Sequence, residues 1–183
     1  MKKQYRKVEE VIDLLSPAQI SAVADVYENG DGLLPKEDWE KSTQYYKMAA
    51  EMGDAYAQST LANAYTIGHD VEKSEELALF WYQRSAEQGN PHAQYEVAMR
   101  LSDEDGALLW LHSSAKQGFP TAMKELSDRL RITDPRMSHK WLQRYYRNKD
   151  KHDMWRWHGK KYMRECKRER QPEIIGGEVV IEI

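Results

Sequence analysis

The sequence predicts an all-α fold: an α/α superhelical solenoid of about four helical hairpins, with a capping helix at each end. Three observations carry that prediction. One decapeptide returns three times, as "AAEMGDAYAQ" at 49–58, "SAEQGNPHAQ" at 85–94 and "SAKQGFPTAM" at 114–123. Starting at the ninth residue of each copy, small and apolar residues recur at i, i+4, i+5 and i+8, which is a helical period and not a strand period. Each copy also carries a glycine just past its helical run, followed by residues that open a new helix.

The elements follow in chain order. Residues 1–15, "MKKQYRKVEEVIDLL", read as an N-terminal capping helix, and Ser16-Pro17 supply an N-cap and first-turn pair for the next one. Residues 16–148 are the stacked hairpins. Gly53, Gly89 and Gly118 stand where a left-handed C-terminal cap is expected, because only glycine is free of the Cβ penalty there. Asp54, Asn90-Pro91 and Phe119-Pro120 open the following helices; proline suits the first helical position, which needs no amide donor. Ala57, Leu61, Ala62 and Tyr65 form one core face. Ala93, Val97, Ala98 and Leu101 repeat it, and Ala122, Leu126, Ser127 and Leu130 follow. Aromatic anchors precede each cap: Tyr45-Tyr46, Phe80-Trp81-Tyr82, then Trp110. A hairpin of this kind cannot bury its own face and must stack on neighbours. The second copy starts 36 residues after the first and the third only 29 after the second; the shortening falls in the link between Leu101 and Trp110, where repeats tolerate deletions.

Asp134-Pro135 opens the helix carrying Trp141. Residues 149–170 read as a basic, aromatic C-terminal capping helix, with Trp155, His158, Tyr162 and Cys166 as its inner stripe. Residues 171–183, ending "PEIIGGEVVIEI", alternate weakly like a strand, have no adjacent partner strand and read as an extended tail.

Composition narrows the function. No apolar run approaches the roughly 20 residues of a membrane span, and the N-terminus lacks the apolar stretch of a secretory signal. The single cysteine can form no internal disulfide, so a reduced, cytoplasmic setting is expected. The six histidines (His69, His92, His112, His139, His152, His158) have no HExxH or Cys-paired spacing and read as surface or packing residues, so no metal and no cofactor is expected. The acids of "SDEDG" at 102–106 are explained by capping and the helix macrodipole. No nucleophile is paired with a base, which points away from an enzyme and leaves no catalytic residue to name.

The stretch "LANAYTIGHDVEKSEELALFWYQRSAEQGNPHAQ" resembles the Sel1-like repeat, a relative of the tetratricopeptide repeat. That resemblance covers roughly residues 20–147, with a shortened copy at 93–118 and a degenerate one from Ala122 through Trp141 and Tyr145. It implies a non-catalytic scaffold or adaptor that binds another protein, in bacterial or organelle settings. It also implies that the first helix of each hairpin lines the concave surface. The stripe beside the core face on those helices is therefore the candidate partner site: Asp25 and Glu28, beside Ser21, in the first hairpin; Tyr56 and Asn63, with Ser59 and Thr66, in the second; His92, Tyr95 and Met99, with Ser102, in the third; Lys124, Asp128 and Arg131, with Thr121, in the fourth. A bacterial regulatory adaptor, or the neutralising partner of a toxin or effector, acting as a monomer or weak homodimer, is the specific form of this expectation.

Charge supplies the alternative. Residues 1–128 hold 12 Lys/Arg against 22 Asp/Glu, whereas residues 129–170 hold 15 against 5. Cations interleaved with Trp141, Tyr145, Tyr146, Trp155, Trp157 and Tyr162 suit a nucleic-acid binder, in which cations hold phosphate and rings stack on bases. On that reading Lys160, Lys161, Arg164, Lys167 and Arg168 form a basic surface. The same charges better suit docking of the basic segment on the acidic repeats, with those five free for an acidic protein.

Overall fold

The structure is a computed structural model that describes residues 5–29, 38–149, 172–175 and 178–182. The chain divides into two compact units, Met1–Ala78 with Tyr162–Ile183, and Leu79–Lys161. Their helices come as the repeating hairpins of an all-α solenoid class: α2 (Pro17–Asn29) with α3 (Trp39–Glu51), α4 (Ala55–Ile67) before α5 (Glu75–Glu87), α6 (Pro91–Arg100) with α7 (Glu104–Lys116), and α8 (Pro120–Thr133) with α9 (Pro135–Asn148).

The decapeptide is a helix stop and a helix start written together. Gly53, Gly89 and Gly118 adopt φ of +100°, +94° and +101°, as left-handed caps require. Their amides donate to Ala50, Ala86 and Ala115, while the next residue's amide reaches back to Ala49, Ser85 and Ser114. This double closure satisfies the orphan carbonyls of a helix end. Asp54 then caps α4 by accepting from the amide of Ala57 at 2.7 Å, and Asn90 caps α6 by accepting from His92 and Ala93. The recurring glutamine locks both halves together: Gln58 donates to the Ala50 carbonyl at 3.1 Å and Gln94 to that of Ala86 at 3.2 Å. Phe119 stands at the third start with no side-chain cap, and Pro120 takes the first helical position.

The first unit, as far as it is described, contains α2, α3, α4 and a small sheet. Val23, Ala24, Tyr46, Ala49, Ala50, Ala57, Leu61 and Ala62 are buried. Alanines at these positions let helix axes approach closely. Ser16 and Gln19 cap the start of α2 reciprocally.

Here the structure departs from the expectation of a capping helix over 1–15 and an unpaired extended tail. Tyr5–Lys7 form β1, followed by one short helix α1 (Val8–Val11) and a 3₁₀ turn (Ile12–Leu14). β2 (Pro172–Ile175) and β3 (Glu178–Glu182) pair antiparallel, and β1 pairs antiparallel with the other edge of β3. Lys7 joins Glu178 at 2.7 Å. Val179, Val180 and Ile181 are all buried; since successive strand residues face opposite sides, both faces of β3 are covered. The strand partner is therefore the other end of the chain. The helical spacing of Val8, Val11 and Leu15 is real, and all three are buried, but residues upstream of Val8 are drawn into the sheet.

In the second unit, Ala98, Ala107, Leu111, Ala115, Phe119, Ala122, Met123, Leu126 and Trp141 form one buried cluster. α8 and α9 are fastened by Ser127 and Ser138, each hydroxyl donating to the other residue's carbonyl at 2.9 and 2.8 Å. Asp103 caps α7 by accepting from Gly106, so the "SDEDG" acids do open a helix. Among the described residues no helix is long and apolar enough to cross a membrane.

Candidate functional site

The sequence-predicted residues of the first unit come together around a side chain that sequence reasoning assigned to packing. Tyr46 is the aromatic anchor of α3 and is buried, yet its hydroxyl reaches two carboxylates on α2. It donates to Glu28 Oε2 at 2.7 Å and lies in a short contact with Asp25 Oδ1. Tyr56, at the start of α4, donates to the same Asp25 oxygen at 2.8 Å, and its ring meets that of Tyr46 edge-on at 5.9 Å. A phenol carries one hydrogen, so Tyr46 satisfies both acids only when a carboxyl supplies the other proton. Burial supplies the reason: it pushes the Asp25 carboxyl up to about 6, against the opposing pull of the two phenols. Burial likewise raises both tyrosines, so they remain neutral donors. Ser21, the third member of the predicted stripe here, is buried and donates to the cap residue Asp54 at 2.7 Å.

In front of this cluster lies a cavity of about 250 Å³ between α2, α3 and α4. Glu28 and Tyr46 form part of its wall, with Trp39 from the start of α3, Asn63 and Ile67 from α4, and His69 just beyond α4. Trp39 and Ile67 are 37% and 62% exposed, which gives the mouth an apolar rim. The Trp39 and His69 rings meet edge-on at 5.0 Å, and His69 Nδ1 is held by Asp70 at 2.9 Å. Asp70 has φ of +53°, and Gly68 before it φ of +77°, so the chain turns sharply there and returns His69 toward α3. Of the expected site residues, Glu28 and Asn63 line this cavity, with Asp25 and Tyr56 joined to Glu28 through Tyr46. The rest of the wall lies outside the predicted stripe, Trp39, Tyr46, Ile67 and His69 among it. The stripe follows one face of the first helix of each hairpin; Trp39 and Tyr46 come from a second helix and His69 from a turn, while Ile67 stands on α4 off that face.

The second unit uses the corresponding positions differently. His92 is set between the edges of Tyr82 at 5.8 Å and Phe119 at 6.0 Å, with Glu96 3.6 Å from its Nε2. Burial lowers its affinity for a proton. Glu96 is ion-paired to Arg100, whose guanidinium lies 4.9 Å from the Tyr82 ring centre. Tyr95 packs on Phe119 at 5.6 Å. Met99 is exposed and lies 3.7 Å from Arg129, which is itself held by Glu104 at 2.9 Å and Glu125 at 2.8 Å. On α8, Lys124 and Asp128 pair with each other at 3.2 Å, and Arg131 is exposed one turn on. The charges of this face are thus largely spent on one another. Lys160, Lys161, Arg164, Lys167 and Arg168, the expected basic surface, lie outside the described residues, as does the capping helix expected over 149–170 apart from Lys149.

Comparison with known proteins places the repeats. The Sel1 repeat matches three times, at residues 21–54, 55–90 and 91–119. The fold is similar to that of a Sel1 repeat protein from Oxalobacter formigenes, with a TM-score of 0.67 at 24% identity over 76% of this chain. It is also similar to c5321, a protective antigen of uropathogenic Escherichia coli strains that displays an SLR fold, with a TM-score of 0.69 at 22% identity over 85% of this chain. The chain spans 61% of the first protein and 36% of the second. No match is found among the curated proteins. With three matched repeats over more than half of its length, the chain belongs to the Sel1 repeat family, whose repeats generally mediate protein–protein interaction and typically build non-catalytic scaffolds.

Proposed function

We propose that this chain acts by occupying the surface of a protein partner, as a regulatory adaptor or as the neutralising partner of a toxin or effector, and that the first unit makes the principal contact. The observation that carries the reading is the cavity at α2, α3 and α4. Exposed Trp39 and Ile67 rim it, and a carboxylate forms part of its wall. Apolar rims around a polar centre are costly in water unless a partner covers them, and aromatic side chains are favoured in the buried centre of interfaces. The second unit, whose charges already pair internally, offers less that a partner could satisfy.

Co-purification from the native host, read by mass spectrometry, tests this with two baits. The native chain should retain a stoichiometric protein partner, and Ile67→Arg, an exposed change that leaves the core untouched, should lose it. Retention by both baits moves the contact away from this cavity. A nucleic acid as the only retained species replaces the protein reading.

A further inference from the structure

We propose that the cavity between α2, α3 and α4 receives a basic side chain, arginine or lysine, projecting from the protein partner; this rests on the docking reading above and names the chemistry that the site accepts. Glu28 is the first reason. Its carboxylate accepts from the Tyr46 hydroxyl and has no ion-pair partner among the described residues. Of the two lysines on α3, Lys41 is engaged elsewhere, 3.9 Å from Asp38 and over the Tyr27 ring at 5.1 Å, and Lys47 is exposed and does not line the cavity. A half-buried carboxylate beside the half-buried Asp25 gains most from an incoming cation, because partial exclusion of water strengthens the attraction.

The walls are the second reason. Trp39, Tyr46 and His69 present rings to the cavity, and among the described residues no lysine or arginine lines it. Rings with a carboxylate beyond them suit an ammonium or guanidinium group, whose charge is attracted to ring faces and whose stem packs on apolar surface. Thr43, Thr60 and Asn63 add neutral oxygen acceptors, which match the multiple donors of a guanidinium.

Size and the wider charge give the third. A volume of about 250 Å³ falls below the roughly 300–1,000 Å³ of small-molecule sites, so it fits a single side chain better than a free cofactor. Residues 1–128 are acidic, with 12 Lys/Arg against 22 Asp/Glu, which favours approach of a basic partner surface. An acidic side chain would oppose Glu28, and an aliphatic one would leave that carboxylate against hydrocarbon with nothing to accept from.

The test is a titration of the ¹⁵N-labelled full chain, followed by NMR, with N-acetyl-arginine N-methylamide as the probe. The Trp39 indole and the Asn63 and Ile67 amides should shift together and saturate. The neutral isostere N-acetyl-citrulline N-methylamide should bind at least about tenfold more weakly, and Glu28→Gln, with its spectrum otherwise native, should weaken the arginine probe by about tenfold, the loss of one charge-assisted contact. Equal binding of the citrulline probe, an unchanged Glu28→Gln titration, or no shift at the solubility limit of the probe overturns the proposal. Agmatine binding more than about tenfold tighter than the blocked arginine would assign the cavity to a free small amine and overturn the partner side chain. A partner retained by Glu28→Gln but lost by Ile67→Arg leaves the docking reading standing and removes only its cationic chemistry.

Discussion

The two units solve the same packing problem and leave opposite electrostatic remainders. In both, the anchor tyrosine stands four residues before the alanine of the cap motif: Tyr46 before Ala50, Tyr82 before Ala86. In both it is buried. Tyr46 meets two acids on α2, whereas Tyr82 lies under Arg100, a cation already paired with Glu96. The stripe positions that hold Asp25 and Glu28 in the first hairpin hold Met99 and Ser102 in the third. A repeat therefore fixes the core and the caps, and a few residues beside the core decide whether the face is self-sufficient or awaits a charge.

The largest expected effect tests the sameness of the cores. Leu61→Ala in the first unit and Leu126→Ala in the second remove equivalent, fully buried side chains, and each should lower stability by about 2–5 kcal/mol in urea unfolding. A loss in only one unit would mean that the other's core is not the repeat core described above. Overpacking at the close helix crossing, by Ala62→Leu, should cost about 1–3 kcal/mol.

Next comes the contrast in pH response. Asp25 is raised from 3.8 to about 6, so the folded state binds its proton more tightly than the unfolded chain. Its contribution is complete below the unfolded value and is lost as pH rises through about 6, a loss of about 3 kcal/mol at full ionisation. Asp25→Asn cannot ionise and keeps the phenol contacts, so its stability advantage over the native chain should grow between about pH 4 and pH 7. His92 carries the opposite sign. Its folded value lies below 6.5, so the second unit should weaken as pH falls through that region. Matched pH curves for Asp25→Asn and His92→Gln, each measured as thermal melts, check both signs; parallel curves would remove the contrast.

The smaller effects concern the caps. Asp54 is buried and serves both Ala57 and Ser21, whereas Asp103 is exposed and serves only Gly106 among the described residues. Replacing either by Ala should cost about 0.5–2 kcal/mol, with Asp54→Ala at the upper end. Equal melting-point losses would mean that the Ser21 bond adds nothing.

How much of this was legible in the sequence depends on the distance over which each signal acts. Gly53, Asp54 and Asn90 announce their conformations by residue type alone, because caps are local. Ala57, Leu61 and Ala62 announce their burial by period. β1 and β3 do not announce each other: their pairing joins Tyr5 to Glu182 across nearly the whole chain, and no local pattern carries that information. The cavity was half visible. Asp25, Glu28, Tyr56 and Asn63 stand on one helical stripe, but Tyr46 reads as an anchor until its hydroxyl is placed, and His69 comes to the wall only through the left-handed turn at Gly68 and Asp70. Gln58 and Gln94 had a signal that went unread. A polar residue repeated at a buried position implies a repeated buried acceptor, here the Ala50 and Ala86 carbonyls.

The most direct test of the central claim, that the face awaiting a charge is the one that binds, is paired photo-crosslinking in extract of the native host. p-Benzoylphenylalanine is placed at Ile67 beside the first cavity, and separately at Met99 on the equivalent face of the second unit. Both positions are exposed, so neither substitution disturbs a core. Crosslinking at Ile67 to one protein, at a site flanked by lysine or arginine, with Met99 giving at least about tenfold less adduct, is the predicted result, since an interface centre concentrates contact and its surroundings do not. The same protein captured through Met99 and not through Ile67 would contradict it.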